Sequence, residues 1–372
     1  MRVISSSHYQ PFVTRGLVFH ELEETTLDKA LATATHMMQS ASRLESRSWP
    51  RLMSFRITKP AICLGCFQSP HRALSTTAIQ TIPVFFRLTG GPAYWIAPGT
   101  LYFCAILPNW QTSINPLLPL TPTRVLYKAL SDAFRNALKS KGLILSENTN
   151  LVYTRQGHEI ARMSMNFISD VLVGEWFLAT EKPLELPSTL NGYTLQRQEP
   201  HPLSGCLSDL ALSPPEFFDA EFASAFADAL LDTNARYVQP GELTYLDRVR
   251  IEMLALRMQA QEPVQTEDIT LYSSLLHEEA IGFVHAQIAF NQRLQFALVR
   301  IGGDFIADSP GIELLEKRLR LVDANKRSVA LTIDEVLGAP EHFILGVKKL
   351  STLLDAILDA ASRNDAWHVT RP

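Results

Sequence analysis

The chain has 372 residues, 46% hydrophobic and 19% charged, with a net charge of −4. That length can bury a sizeable core and form one large domain plus a smaller one, and four cysteines are too few for a disulfide scaffold. The charge balance, without any basic block, excludes a nucleic-acid footprint and a membrane-surface patch, and no stretch approaches the ~20 apolar residues that span a bilayer.

The first residues, MRVISSSHYQPFVTRG, lack the apolar core of a secretory signal, so a cytoplasmic location is expected. Residues 21–44 read as a helix, with Leu27, Ala30, Leu31, Ala34 and Met38 at helical spacing. Residues 51–64 read as a strand ending in the turn LGCFQSP. A short strand, 82–86, leads into FFRLTGGPAYWIAPGTL, and 101–107 is an apolar run bounded by Gly99 and Pro108, a buried strand. Residues 121–139 form a helix stopped by Lys141-Gly142. Strands follow at 151–153 and 171–179, with GHEIARMSMNF between them.

Ser213-Pro214-Pro215 opens a helix with the apolar stripe Phe222, Phe226, Ala229 and Leu230. Gln239-Pro240-Gly241 is the clearest mid-chain punctuation, followed by a mixed-charge helix over 245–259. Residues 283–290 and 295–301 alternate as a hairpin with its turn at 291–293, ended by Gly302-Gly303-Asp304. A helix over 310–321 follows; Thr332 to Glu335 reads as a capping box opening a short helix that Gly338 closes, and a last helix runs from Pro340. The expected architecture is α/β with a mixed sheet: residues 1–240 as the main domain, 241–280 as a helical connector and 281–372 as a small α+β domain.

Within residues 85–101, Arg87 is the single charge, set beside the twin glycines Gly90 and Gly91. Glycines let backbone N–H groups approach a carboxylate or phosphate closely, although a tight turn between buried strands needs the same residues. The wider order is more specific. A Gly-x-x-Gln turn (Gly65, Gln68), a Pro83-Val84 strand, an Arg-x-Thr-Gly-Gly loop and a Pro-Gly-x-Leu exit resemble the lipoate–protein ligase A family. That family reads Arg-Arg-x-Ser/Thr-Gly-Gly-Gly-Ala-Val-x-His-Asp-x-Gly-x-Leu here, and residues 86–101 fit it without a gap. IGGDF at 301–305 is similar to the accessory domain of the bacterial ligases.

The resemblance implies a biotin/lipoate ligase-like catalytic domain with a small C-terminal accessory domain. It implies lipoate or octanoate as substrates, with ATP and Mg²⁺, and a lipoyl-carrier protein whose lysine receives the acyl group. Arg87, Thr89, Gly90, Gly91, Ala93, Gly65 and Gln68 are then substrate-binding candidates. The family's catalytic lysine lies in Gly-x-Lys-Ile-x-Gly; the matching stretch is Gly157-His158-Glu159-Ile160-Ala161-Arg162, with Glu159 at the lysine position. Arg162 is the candidate substitute cation. Pro92 stands at the third glycine, Ile96 and Ala97 at the His-Asp pair and Phe86 at the first arginine, which moves the pocket from polar to apolar. Some octanoyltransferases of the superfamily use a cysteine thioester, which makes Cys206 a candidate nucleophile beside the plainer reading of a structural thiol. Cys63-x-x-Cys66 has no second ligand pair nearby, so no metal is expected. A second functional reading is a catalytically degenerate member acting in binding or regulation.

Overall fold

The computed structural model describes residues 17–43, 49–108, 123–143, 145–146, 152–168, 171–193, 203–210, 219–230, 238–258 and 270–364. The chain packs as two compact units, one from residues 1–60, 96–184 and 202–258 and the other from residues 61–95, 185–201 and 259–372. The glycine loop therefore belongs with the C-terminal residues, whereas the linear division at 240 and 280 grouped it with the main domain. No helix among the described residues is long and apolar enough to cross a membrane.

The first unit is built on an eight-stranded mixed sheet. Its order is Leu203–Ser204, His158–Ile168, Val171–Leu178, Leu101–Pro108, Arg51–Ile57, Leu17–Thr25 and Val238–Pro240, with Val152–Arg155 also paired to His158–Ile168. The centre is antiparallel and the outer pairs are parallel. Leu101–Pro108 and Val171–Leu178 are buried along their whole length, as central strands covered on both faces must be. On one face Phe103 and Trp176 meet Phe134 of the helix Thr123–Ser140 and Phe222 and Phe226 of the helix Ala220–Leu230. The Trp176 indole N–H donates to the Tyr153 hydroxyl at 3.2 Å, which lies 3.1 Å from Ser131 Oγ, so the polar atoms of this aromatic core are satisfied.

In the second unit Gly282–Phe290 is flanked by Tyr272–Ser273, His277–Glu279 and Phe296–Gly303 in a four-stranded antiparallel sheet. The helices Ser309–Leu319, Lys326–Leu337 and Ser351–Ser362 share its core, with Val299, Phe296, Leu315, Val329, Leu353 and Ile357 fully buried. His285 sits on this sheet at 3% exposure, opposite Gly302, where a Cβ would come within 2.6 Å of the ring. Burial, aided by the Arg72 charge, lowers its pKa to about 3. The unfolded chain therefore binds a proton between about pH 6.5 and 3 that the folded chain refuses, so this stability is present above pH 6.5 and lost on acidification. We expect a loss of about 2 kcal/mol from this residue between pH 7 and pH 5. Urea unfolding of wild type and His285→Gln at both pH values checks it: the variant should show a flatter acid limb. His20 in the first unit, lowered to about 4 chiefly by burial, adds to the slope with the same sign in both proteins.

Several elements differ from the sequence reading. Residues expected to begin the first helix lie in the strand Leu17–Thr25, and the helix is Leu27–Arg43. GHEIARMSMNF, placed between two strand candidates, forms most of an eleven-residue strand of its own. The expected strand over 51–64 divides into Arg51–Ile57 and Ala61–Leu64. Thr332 opens nothing: the helix starts at Lys326, capped by Asn325, whose side chain accepts from the Ser328 N–H at 2.9 Å. The last helix begins at Ser351, because Ile344–Leu345 is drawn into a pair with Ile306–Ala307. Ser213-Pro214-Pro215 lies outside the described residues.

Candidate functional site

The lone arginine of the glycine loop is a staple. The Arg87 guanidinium is 2% exposed and donates to the Gly90 carbonyl at 2.5 Å from Nη2 and 3.1 Å from Nε, to Pro92 O at 3.0 Å and to Cys63 O at 3.3 Å. Its carbon lies 4.3 Å from the centre of the Tyr94 ring. The twin glycines permit close approach by protein backbone. The Gly91 N–H donates to Phe305 O at 2.8 Å, and a Cβ on Gly90 would stand 2.4 Å from that same oxygen. A Cβ on Gly65 would stand 2.3 Å from Gly91 O. Thr89 is fully buried and its carbonyl accepts from the Cys66 N–H, while Ala93 packs on the apolar cluster around Leu74 and Val84. The Arg87 guanidinium and the Gly91 N–H, both expected to hold a ligand's carboxyl end, are engaged by the protein's own backbone.

Gln68 is engaged at both ends of its amide. Its oxygen accepts from the Gly65 N–H at 2.8 Å, and its nitrogen donates to Asp304 Oδ1 at 2.6 Å. The buried Asp304 carboxylate also accepts from the Tyr193 hydroxyl at 2.8 Å and from the Phe283 N–H at 2.9 Å. Burial, with Asp304 second, holds the Tyr193 phenol protonated well above its usual range. The GGDF stretch thus ties the Gly65 turn into the second unit: Gly303 gives its N–H to Phe67 O, and Phe305 stacks on Phe67 at 5.0 Å.

In the first unit the turn Gln156-Gly157 has positive φ at both residues (52° and 81°), the type that suits a two-residue hairpin. It joins Val152–Arg155 to His158–Ile168. His158 is exposed and Glu159 is 4% exposed. Residues three apart on a regular strand face opposite sides, yet both Glu159 oxygens are held by Arg162, through Nε to Oε1 and through Nη2 to Oε2 at 2.8 Å. The pairing slips between Tyr153 and Thr154, leaving Ile160 as the extra residue of a bulge that brings the two side chains together. Glu159→Ala should cost about 2 kcal/mol, because the guanidinium, 14% exposed, loses this carboxylate and recovers part of the loss from water. The double variant with Arg162→Ala should cost less than the sum of the singles in denaturant unfolding.

Cys206 lies in the same corner. Leu203–Ser204 pairs with His158 and Glu159, and the Gly205 N–H donates to Glu159 O at 2.8 Å. The Cys206 sulfur contacts the Ser208 hydroxyl at 3.2 Å, and a hydroxyl is no base for a thiol. The structure thus unites Glu159, Arg162 and Cys206 in one unit, and the seven candidates from Gly65 to Ala93 in the other.

A buried carboxylate escaped the sequence reading. Glu175, one residue before Trp176 and so on the opposite sheet face, accepts from the Tyr102 hydroxyl at 2.6 Å. Burial, then the neighbouring Cys104 and Glu175, holds the Tyr102 phenol protonated. The signal was present: a single charge inside the apolar run VLVGEWFL.

No family model matches the sequence, and no curated protein matches it. Solved structures do. The crystal structure of P. falciparum LipL1 in complex with lipoate superposes with a TM-score of 0.61 at 13% identity, over 92% of this chain and 99% of that one. The chain has the biotin/lipoate ligase fold. Lipoate-protein ligase A bound with ATP aligns at a TM-score of 0.48 and 14% identity over 66% of this chain and 95% of that one. At such identities the likeness concerns the fold, and chemistry has to be argued from this chain's own residues.

Proposed function

We propose that this protein places a lipoyl or octanoyl group on a lysine of a lipoyl-carrier protein, taking the group already activated rather than activating it with ATP. The observation that carries this reading is the Glu159–Arg162 pair on a ligase fold. By the resemblance, the ligases put a lysine at position 159. Here the position holds a carboxylate, and its neighbouring arginine is bound to that carboxylate.

A cation ~4 Å from a phosphate oxygen contributes about 4 kcal/mol at an effective dielectric near 20, and a carboxylate there opposes binding by a similar amount. Among the described residues, those that the resemblance assigns to the site do not fit a triphosphate. Arg162 is neutralised by Glu159, Arg87 is held by backbone carbonyls, and the Gly91 N–H is given to Phe305. Transfer from an activated donor makes no such demand. The carrier lysine's amine attacks the acyl carbonyl, the C–N bond forms as the bond to the leaving group breaks, the electron pair departs with AMP or the thiolate, and the nitrogen's proton passes to that leaving group or to water. The proposed setting is the cytoplasm, with the carrier domain as the macromolecular partner.

The test is intact-mass analysis of a lipoyl-carrier domain incubated with the protein and either octanoyl-adenylate, an octanoyl thioester, or octanoate with ATP and Mg²⁺, with lipoyl donors in parallel. We expect the carrier to gain one acyl group above the protein-free control from an activated donor, and none from the free acid with ATP. Direct attack by the carrier lysine needs no thiol of this protein, so Cys206→Ala should retain the transfer. No gain from any donor would reject the reading and leave a binding or regulatory role.

A further inference from the structure

The second unit contains a cavity of about 440 Å³, within the ~300–1,000 Å³ range of small-molecule sites. Its walls come from the Cys66–Pro70 turn, the hairpin Gly282–Phe290 with Phe296–Gly303, and one side of the helix Ser309–Leu319. The hairpin register sets His285 opposite Gly302 and Gln287 opposite Arg300, so these side chains share the face that lines the cavity. His285 is the informative member. It is almost fully buried, and neither ring nitrogen has a hydrogen-bond partner among the described residues. An unsatisfied buried polar group costs about 1–3 kcal/mol, and native structures seldom keep one without a partner.

We propose that this cavity is a binding site for a small neutral nitrogen heteroaromatic that supplies a partner His285 lacks. The inference does not depend on the acyl-transfer reading. An uncharged imidazole offers one donor and one acceptor on separate edges, so a heteroaromatic ring pairs through its own ring nitrogen or N–H with the imidazole nitrogen that faces the cavity. Gln287 also lines the cavity, and its amide nitrogen reaches Ser273 Oγ at 3.4 Å. Glu316 accepts from the Ile301 N–H at 2.8 Å, and with Arg300 beside it the polar wall carries one charge of each sign. Glu313 adds a second carboxylate at the exposed rim, which disfavours an anion. Phe67, fixed by its stack on Phe305, and Ile312 supply apolar walls for a flat ring.

The test is saturation-transfer NMR and thermal-shift titration of the full-length protein with nicotinamide, cytosine and benzimidazole, with nicotinate as the anionic counterpart of nicotinamide. At least one neutral probe should bind saturably, and nicotinate should bind at least tenfold more weakly than nicotinamide. His285→Phe and Gln287→Leu should each weaken binding at least tenfold. Ile312→Trp, which fills the cavity without touching the polar wall, should abolish it and keeps the test decisive should His285→Phe fail to fold. No saturable binding by any probe, or binding unchanged in Gln287→Leu and Ile312→Trp, would overturn the proposal.

Discussion

Asp304→Ala is expected to destabilise the second unit by about 3–5 kcal/mol, the largest effect of any single side-chain truncation considered. The carboxylate accepts from Gln68 Nε2, the Tyr193 hydroxyl and the Phe283 N–H. Truncation leaves three buried donors without an acceptor, and each orphaned group costs about 1–3 kcal/mol before relaxation and water entry recover part of it. A methyl group also leaves a hole beside Gly282, whose missing Cβ makes room for this carboxylate. Asp304→Asn should lie between the two, keeping one oxygen acceptor while facing a donor with another donor. Chemical denaturation followed at Tyr and Trp fluorescence gives the comparison. A loss below about 1 kcal/mol for the alanine variant would show that the network contributes little.

Gly90→Ala is expected to cost about 2–4 kcal/mol with no ligand present. The new methyl group would stand 2.4 Å from Phe305 O, 2.9 Å from Phe67 Cδ2 and 3.1 Å from Ile306 Cα. The first and last are backbone atoms, so the strand end at 305–306 has to move away rather than a side chain rotate. Overpacking of that kind costs about 1–3 kcal/mol. The displacement also stretches the bond from the Gly91 N–H to Phe305 O, a further fraction of about 1 kcal/mol. Thermal unfolding of the ligand-free protein decides the point. A variant as stable as wild type would return the glycines to the role of a ligand cradle.

The parts of the fold carried by local pattern were legible in the sequence. The apolar run at 101–107, the alternation of 283–290 and the stripe through Leu126, Leu130 and Phe134 appear as strand, strand and helix. Where distant pairing decides, local pattern misleads. Glu21 to Glu24 reads as the start of a helix, but Glu23 and Glu24 pair in parallel with Phe55 and Arg56, so the strand wins. Thr332 has the spacing of a capping box and lies mid-helix, its hydroxyl bonded back to Ser328 O.

The site shows the same division. That residues 87–91 are special was visible from two glycines beside a buried cation. What they contact was not, because Phe305 lies in another part of the chain. Glu159 and Arg162 were singled out separately, but their pairing needs a bulge at Ile160 that no residue there announces. Glu175 was visible as a lone carboxylate in an apolar strand, yet its meaning rests on Tyr102 across the sheet.

The central claim is that this ligase fold has lost the charge needed to activate an acid while keeping the means to pass an acyl group on. ATP–pyrophosphate exchange with octanoate or lipoate tests it most directly, since exchange requires adenylation and no carrier. The account predicts no exchange above the protein-free control with either acid, in a preparation that transfers octanoyl from octanoyl-adenylate to the carrier. Exchange that depends on the acid and survives in the wild-type protein would contradict it.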